Sequence, residues 1–243
     1  EKPFFAIIQT ADNHRPFTIP EEDRQEFRFL NHPESELKNN GFESNEELNA
    51  FRFTDYCYRK FMEAAGREHY FSNTLFVFIG DHGIRGNAGN LLPKAFTSKG
   101  LTCEHVPLLF YWPANLKAKR ISEVCSQVDI LPSIAAIAKL PFSNNTFGRN
   151  LFETQQPVTD STPGKQKYAF IIDHDLKTIG LVSDRYYFLE DIKTGKKELV
   201  SVINNDEILP SAEIDSIKSA MGTLTEAWYE TAKYLLLHNR KKN

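Results

Sequence analysis

The chain has 243 residues, 41% hydrophobic and 25% charged, with a formal net charge of -3. This is globular composition, enough for one sizeable core or a core with a small annex. No basic block appears outside Arg240 to Lys242, so there is no electrostatic case for nucleic acid, and no apolar run reaches the ~18 residues of a membrane span.

"EKPFFAIIQTADNH" has neither the charged start nor the cleavage site of a signal peptide. It opens almost directly on a strand, as expected of a piece cut from something longer. "FFAIIQTA" (Phe4 to Ala11) is apolar and β-branched, which predicts a buried strand. Pro16 and Pro20 make the following "DNHRPFTIPEED" a loop. Residues 21 to 45 are polar and read as an excursion with little regular structure. "SNEELNAFRFTDYCYRKFMEAAG" predicts a helix capped by Ser44 or Asn45 and stopped at Gly66.

"NTLFVFIGDHG" predicts a strand ending at Gly80, and "AGNLLPKAF" a short helix or loop. "HVPLLFYWP" predicts a third strand closed by Pro113. "SQVDILPSIAAIAKL" predicts a helix whose start is marked by Ser126 and Asp129. Strands alternating with helices imply an α/β fold, a mostly parallel sheet with helices on both faces. After Asn144 the texture changes. "KYAFIID", "KTIGLVSD" and "RYYFLEDIKTGKKELVSV" predict short antiparallel strands with "KTGK" as a hairpin turn. A long final helix follows, with Ile214, Ile217, Met221, Leu224, Trp228, Ala232 and Leu235 on one face. The expected organisation is a core over residues 1–150, with an annex and terminal helix over 151–243.

Ligands of open α/β sheets gather beyond the carboxyl ends of strands. His14 follows the first predicted strand, Asp81 and His82 end the second, and His105 begins the third. A carboxylate and an imidazole side by side can grip one divalent cation, and Gly83 permits unusual backbone angles beside it. Taken alone, "DHG" fits a surface turn equally well. His32, His69, His174 and His238 sit in polar or helical contexts and read as structural or solvent-exposed. Cys57, Cys103 and Cys125 form no close metal-type pair and read as buried free thiols.

The order "TADNHRPFTIP", "FRFTDYCYRKFMEAA", "NTLFVFIGDHG", "VPLLFYWP", "QVDILPSI" resembles the C-terminal part of the catalytic domain in the sulfatase branch of the alkaline phosphatase superfamily. Its texture is most similar to lipoteichoic-acid-synthase-like proteins. The resemblance implies an alkaline-phosphatase-like fold and a metal-dependent hydrolase or transferase of phosphate or sulfate esters. It implies Asp81 and His82 as ligands of a divalent metal (Mn, Zn, Mg or Ca), with His105 a further metal or substrate contact. His14 is implied as a substrate-facing catalytic group. Arg85 and Arg15 are candidate oxyanion clamps, since guanidinium suits phosphate and sulfate, and exposed surface arginine is the competing reading for each.

The implied partner is an anionic ester, such as a phospholipid head group or a sulfate ester. The implied setting is the periplasmic or extracellular face of the cytoplasmic membrane, with the parent tethered by upstream helices and this piece soluble. The family's nucleophile and another acidic ligand lie upstream of the equivalent of Phe4, and no cysteine here stands in a "CxPSR"-type setting. The piece alone is therefore expected to be inactive. His105 stands before "VPL" where common sulfatases read Arg, which leans the expectation toward phosphoesters. The alternative is a parent that has lost catalysis and serves as a periplasmic binding or regulatory module for lipid head groups.

Overall fold

A computed structural model describes residues 2–153, 167–203 and 210–238. By its internal contacts the chain forms two compact units, Glu1–Ala118 and Lys119–Asn243.

In the first unit, prolines set the entry to each early turn. Pro20 precedes a 3-10 turn, Glu21–Gln25, and Pro33 precedes α1 (Glu34–Asn39). Both have extended ψ and a φ that the pyrrolidine ring fixes. The long helix α2 (Asn45–Ala65) begins at Ser44, whose hydroxyl accepts from the Glu47 N–H at 3.2 Å. The Glu47 carboxylate in turn accepts from the Glu43 N–H at 2.6 Å, so two donors at the helix entry are satisfied reciprocally. Phe53 on the inner face of α2 packs with Ile19 and Phe27, all buried. The polar excursion is thus pinned to the helix through one aromatic anchor. A second side of α2 meets β1 (Phe76–Ile79) through the ring contacts Tyr58–Phe78 and Phe61–Phe76.

Two short helices, α3 (Lys94–Ser98) and α4 (Leu101–Glu104), lead to β2 (Leu108–Tyr111). β1 and β2 pair antiparallel, from Phe76↔Tyr111 to Ile79↔Leu108. The second unit begins with a 3-10 turn, Gln127–Asp129, running into α5 (Ile130–Ile137). The buried Asp129 carboxylate accepts from the N–H of Ser126 and, with its other oxygen, from that of Arg149, each at 2.8 Å. It closes a capping box and ties down the loop after α5. Next, β3 (Ala169–Asp173), β4 (Thr178–Val182), β5 (Tyr186–Asp191) and β6 (Lys197–Ser201) form an antiparallel meander. The final helix α6 (Ser211–His238) lays Ile217, Met221, Leu224 and Trp228 against Leu181, Tyr186 and Phe188 of that sheet.

Three expectations need correction. The mostly parallel sheet is not seen among the described residues, where every strand pairing is antiparallel. The connection over residues 80–107 exceeds the dozen or so residues that a parallel crossover needs, so neither its length nor the apolar runs it joins fix the direction. The antiparallel direction is held by main-chain bonds that continue past the ladder, from Gly80 to Pro107 and from Gly83 to Cys103. Second, Phe4 to Ala11 pairs with no strand among the described residues, and Phe4, Phe5, Ile7 and Ile8 are 68%, 68%, 83% and 71% exposed. Its residues favour a sheet buried on both faces, but composition names no partner. Third, the excursion over 21–45 contains the 3-10 turn and α1, both opened by proline.

Phe188 is fully buried between the meander and α6. Phe188→Ala is expected to cost about 3–5 kcal/mol, read from denaturant unfolding. Leu236→Ala, at an 87% exposed position, is expected to stay within about 0.5 kcal/mol.

Candidate functional site

The apolar run of β1 ends at Ile79, and the chain leaves the ladder at Gly80. Because β2 runs antiparallel, its start lies at the same rim as the end of β1. A parallel β2 would put its start, and His105, at the opposite rim. The pairing that departs from expectation is therefore the one that brings His105 to the Asp81–His82 end of the sheet.

Backbone hydrogen bonds fix this return. The Gly80 N–H donates to the Pro107 carbonyl at 3.3 Å and the Gly83 N–H to the Cys103 carbonyl at 2.6 Å. Asp81 and His82 lie between these two bonds, and Glu104, His105 and Val106 lie between them on the opposite segment. Two residues thus face three, a local bulge. A Cβ at Gly83 would sit 2.2 Å from the Thr102 carbonyl oxygen, so only glycine fits this approach.

Both side chains of the pair point to solvent, Asp81 at 80% and His82 at 68% side-chain exposure. The Asp81 Oδ1 accepts from the His82 N–H at 2.9 Å. His82 Nδ1 lies 2.7 Å from the Gly83 carbonyl oxygen. A carbonyl only accepts, so Nδ1 carries a proton, and Nε2 is the nitrogen left to face a ligand. That Nε2 is 3.9 Å from Asp81 Oδ2. Donors with metal bonds of about 2.0–2.2 Å share an ion only within about 4.3 Å, and this pair meets the limit. A second hydrogen bond that sets the tautomer is the usual support of a metal-ligating imidazole. The pair's donor chemistry therefore fits a divalent cation as two of its ligands. No group of three or more His, Cys, Asp or Glu side chains able to hold an ion occurs among the described residues.

His105 is exposed and packs edge-on to Phe96, with ring centroids 5.5 Å apart. His14 stands on a separate loop, exposed, with Nδ1 2.8 Å from the Arg15 carbonyl oxygen. By the same reasoning its Nδ1 carries a proton and Nε2 is the nitrogen left free of that bond. That loop is moored to α2 by a hydrogen bond from the Thr54 hydroxyl to Asn13 Oδ1 at 2.7 Å. Arg15 is ion-paired with Glu43 and lies over the Phe17 ring. Arg85 is exposed on the loop after Gly83. The structure brings Asp81, His82 and His105 to one rim, while His14 and Arg15 belong to the loop held on α2. Sequence reasoning read Asn13 only as a loop former, with Pro16 and Pro20, and passed over Thr54 and Glu43. None carries a local signal, because a threonine inside a helix and a glutamate in a loop acquire these tasks only from what folds beside them.

The Sulfatase family model matches residues 1–140. The chain is 26% identical over 168 residues to an arylsulfatase of Clostridium perfringens, covering 63% of this chain and 34% of that protein. It is 26% identical over 159 residues to lipoteichoic acid synthase of Staphylococcus aureus, covering 63% and 23% respectively. The matches thus span about a third or less of the curated relatives' length. Among solved structures, the lipoteichoic acid synthase LtaP of Listeria monocytogenes superposes with a TM-score of 0.62 at 16% identity, over 93% of this chain and 52% of that one. A protein in complex with its substrate D-glucosamine-2-N,6-O-disulfate superposes with a TM-score of 0.54 at 16% identity, over 78% and 40%. These two likenesses show the fold, an α/β arrangement shared with LtaP.

The three cysteines are free thiols, each part-buried. Burial, reinforced by nearby Asp12 and Asp23, pushes the Cys57 thiol above its ordinary pKa. Burial also raises Cys125, with Asp129 adding to the effect. A raised pKa leaves less thiolate at any given pH, and thiolate is the reactive form. Cys57 and Cys125 are expected to alkylate with iodoacetamide several-fold more slowly at pH 8 than free cysteine, and to speed up on unfolding. Peptide mass mapping of the labelled sites checks this.

Proposed function

The chain belongs to the sulfatase family, and from that premise we propose that it supplies part of a catalytic domain acting on sulfate or phosphate esters with a divalent cation. The observation that carries this reading is the Asp81–His82 pair, 3.9 Å apart across Nε2 and Oδ2 with Nδ1 committed to a backbone carbonyl.

Asp81 and His82 are the residues that hold the ion. When bound, a divalent ion supplies positive charge against an anionic ester. Mn, Zn, Mg and Ca all remain compatible with one carboxylate and one imidazole. His14, with Nδ1 occupied, has Nε2 as the atom that gives or takes a proton at the leaving oxygen. His105 reaches the same rim as the pair and serves as a substrate contact or a further ligand. Arg85 and Arg15 are the guanidinium groups available to an oxyanion. Arg15 exchanges its Glu43 partner to do so, an exposed pair whose rupture costs little.

Relatives on both sides of the ester question match, an arylsulfatase and a lipoteichoic acid synthase. The histidine before "VPL" leans the reading to phosphoesters, a phospholipid head group being the corresponding substrate. Action at the outer face of the cytoplasmic membrane, in a membrane-tethered parent, belongs to the same proposal. So does a functional division near residue 150, which is distinct from the compactness boundary at Ala118 and Lys119.

The test uses the intact protein. Asp81→Ala is expected to lower bound metal by about one equivalent per chain and to reduce ester turnover at least 100-fold, measured by elemental analysis and by hydrolysis of paired sulfate and phosphodiester substrates. Equal metal content in variant and parent overturns the site. Metal and head-group binding without turnover in the parent favours the binding-module alternative. A clear preference for sulfate overturns the phosphoester lean.

A further inference from the structure

We propose that α4 is a positioning element that sets the affinity of the Asp81–His82 pair for a divalent cation by gripping the backbone immediately after it. The inference rests on the reading of that pair as metal ligands and goes beyond it to a helix that supplies no ligand.

Three glycines at three-residue spacing attach the segment. The Gly80 N–H donates to the Pro107 carbonyl, the Gly83 N–H to the Cys103 carbonyl and the Gly86 N–H to the Thr102 hydroxyl, at 3.3, 2.6 and 3.3 Å. Two of the three acceptors belong to α4. The contact at Gly83 leaves no room, since a Cβ there would lie 2.2 Å from the Thr102 oxygen, 3.3 Å from its carbon and 3.5 Å from Cys103 Cα. These neighbours are main-chain atoms, which cannot swing aside as the tip of a side chain does. The grip at Gly80 is looser, with the Val106 Cβ 3.0 Å away.

α4 is itself anchored below the rim. Gly100, its N-cap, adopts a left-handed conformation at φ 71°, which glycine enters at little cost. Leu101 is buried, and the N–H groups of Cys103 and His105 donate to the carbonyls of Gly100 and Leu101 at 2.9 and 3.0 Å. A displacement of α4 therefore passes to the pair through the main-chain bond between Gly83 and Cys103, while His105, one residue past α4, moves with it. Asp81 and His82 have highly exposed side chains, so packing around them does little to orient them. Their backbone placement is what preorganises the two donors, and preorganisation decides affinity where a ligand would otherwise pay to order them.

Mn2+ titration calorimetry on the intact protein tests this, with circular dichroism and thermal unfolding recorded for every variant. Gly83→Ala is expected to weaken Mn2+ binding at least tenfold while the protein stays folded. Gly100→Ala strains α4 without touching residues 80–83, and is expected to weaken binding several-fold. Gly86→Ala, whose new methyl would meet only the Gly41 carbonyl at 3.7 Å, is expected to stay within twofold. Parent-like affinity in both Gly83→Ala and Gly100→Ala overturns the proposal, as does loss that merely tracks the unfolded fraction. Asp81→Ala separates the two levels. If it abolishes binding while both glycine variants bind normally, only the role of α4 falls. If it leaves Mn2+ binding unchanged, the metal reading falls and this inference with it.

Discussion

The first unit depends on the antiparallel return of the chain beside β1. Four register pairs join β1 to β2, and two further backbone bonds, from Gly80 and Gly83, extend the pairing past the end of the ladder. Each such bond contributes only about 1 kcal/mol net, yet together they determine which residues share a rim. They place His105 opposite Asp81 and His82, and they do so through main chain, leaving the side chains at the rim open to solvent. The proposed binding of an ion and an anionic ester would need that openness, whereas a buried carboxylate and imidazole without partners would cost several kcal/mol.

α2 links this rim to the loop that carries His14. One side of the helix holds β1 through Tyr58 and Phe61, and Thr54 on a buried position moors Asn13. The helix therefore orders two loops of opposite chemistry, one bearing the carboxylate and imidazole, the other a histidine and an arginine. His14 and His82 share a local design. In each, Nδ1 bonds the carbonyl of the next residue, which assigns the tautomer before any ligand arrives and aims the basic nitrogen away from the backbone. The second unit is built on a different principle, a meander whose fully buried Tyr187 and Phe188 sit on successive positions and whose inner face is closed by one long helix.

Much of this was legible in the chain itself. The limits of α2 follow from Ser44 and Gly66, the start of α5 from Ser126 and Asp129, and the meander from alternating apolar runs with "KTGK" at a turn, because caps and turns are local chemistry. The stripe from Ile217 to Trp228 on α6 meets the sheet as its 3.6-residue spacing requires. The place of Asp81 and His82 just past a strand end was also local, while their reading as metal ligands came from the family resemblance and not from the "DHG" stretch alone.

Pairing direction and partnership were not local. The same "FVFI" and "LLFY" runs, joined by residues 80–107, suit a parallel or an antiparallel ladder, and only the main-chain bonds made in the fold select the second. Phe4 to Ala11 has the residues of a buried strand, but a strand is completed by neighbours that its own composition cannot specify. The amino-acid order by itself thus determined which residues cap, turn, bury or offer a donor atom, for these are properties of side chains and of three or four neighbours. The tertiary structure alone decided that His105 stands across from Asp81 and His82, that Asn13 hangs on Thr54, and that Gly83 must lack a side chain, because each depends on two segments far apart in the chain meeting within a few ångströms.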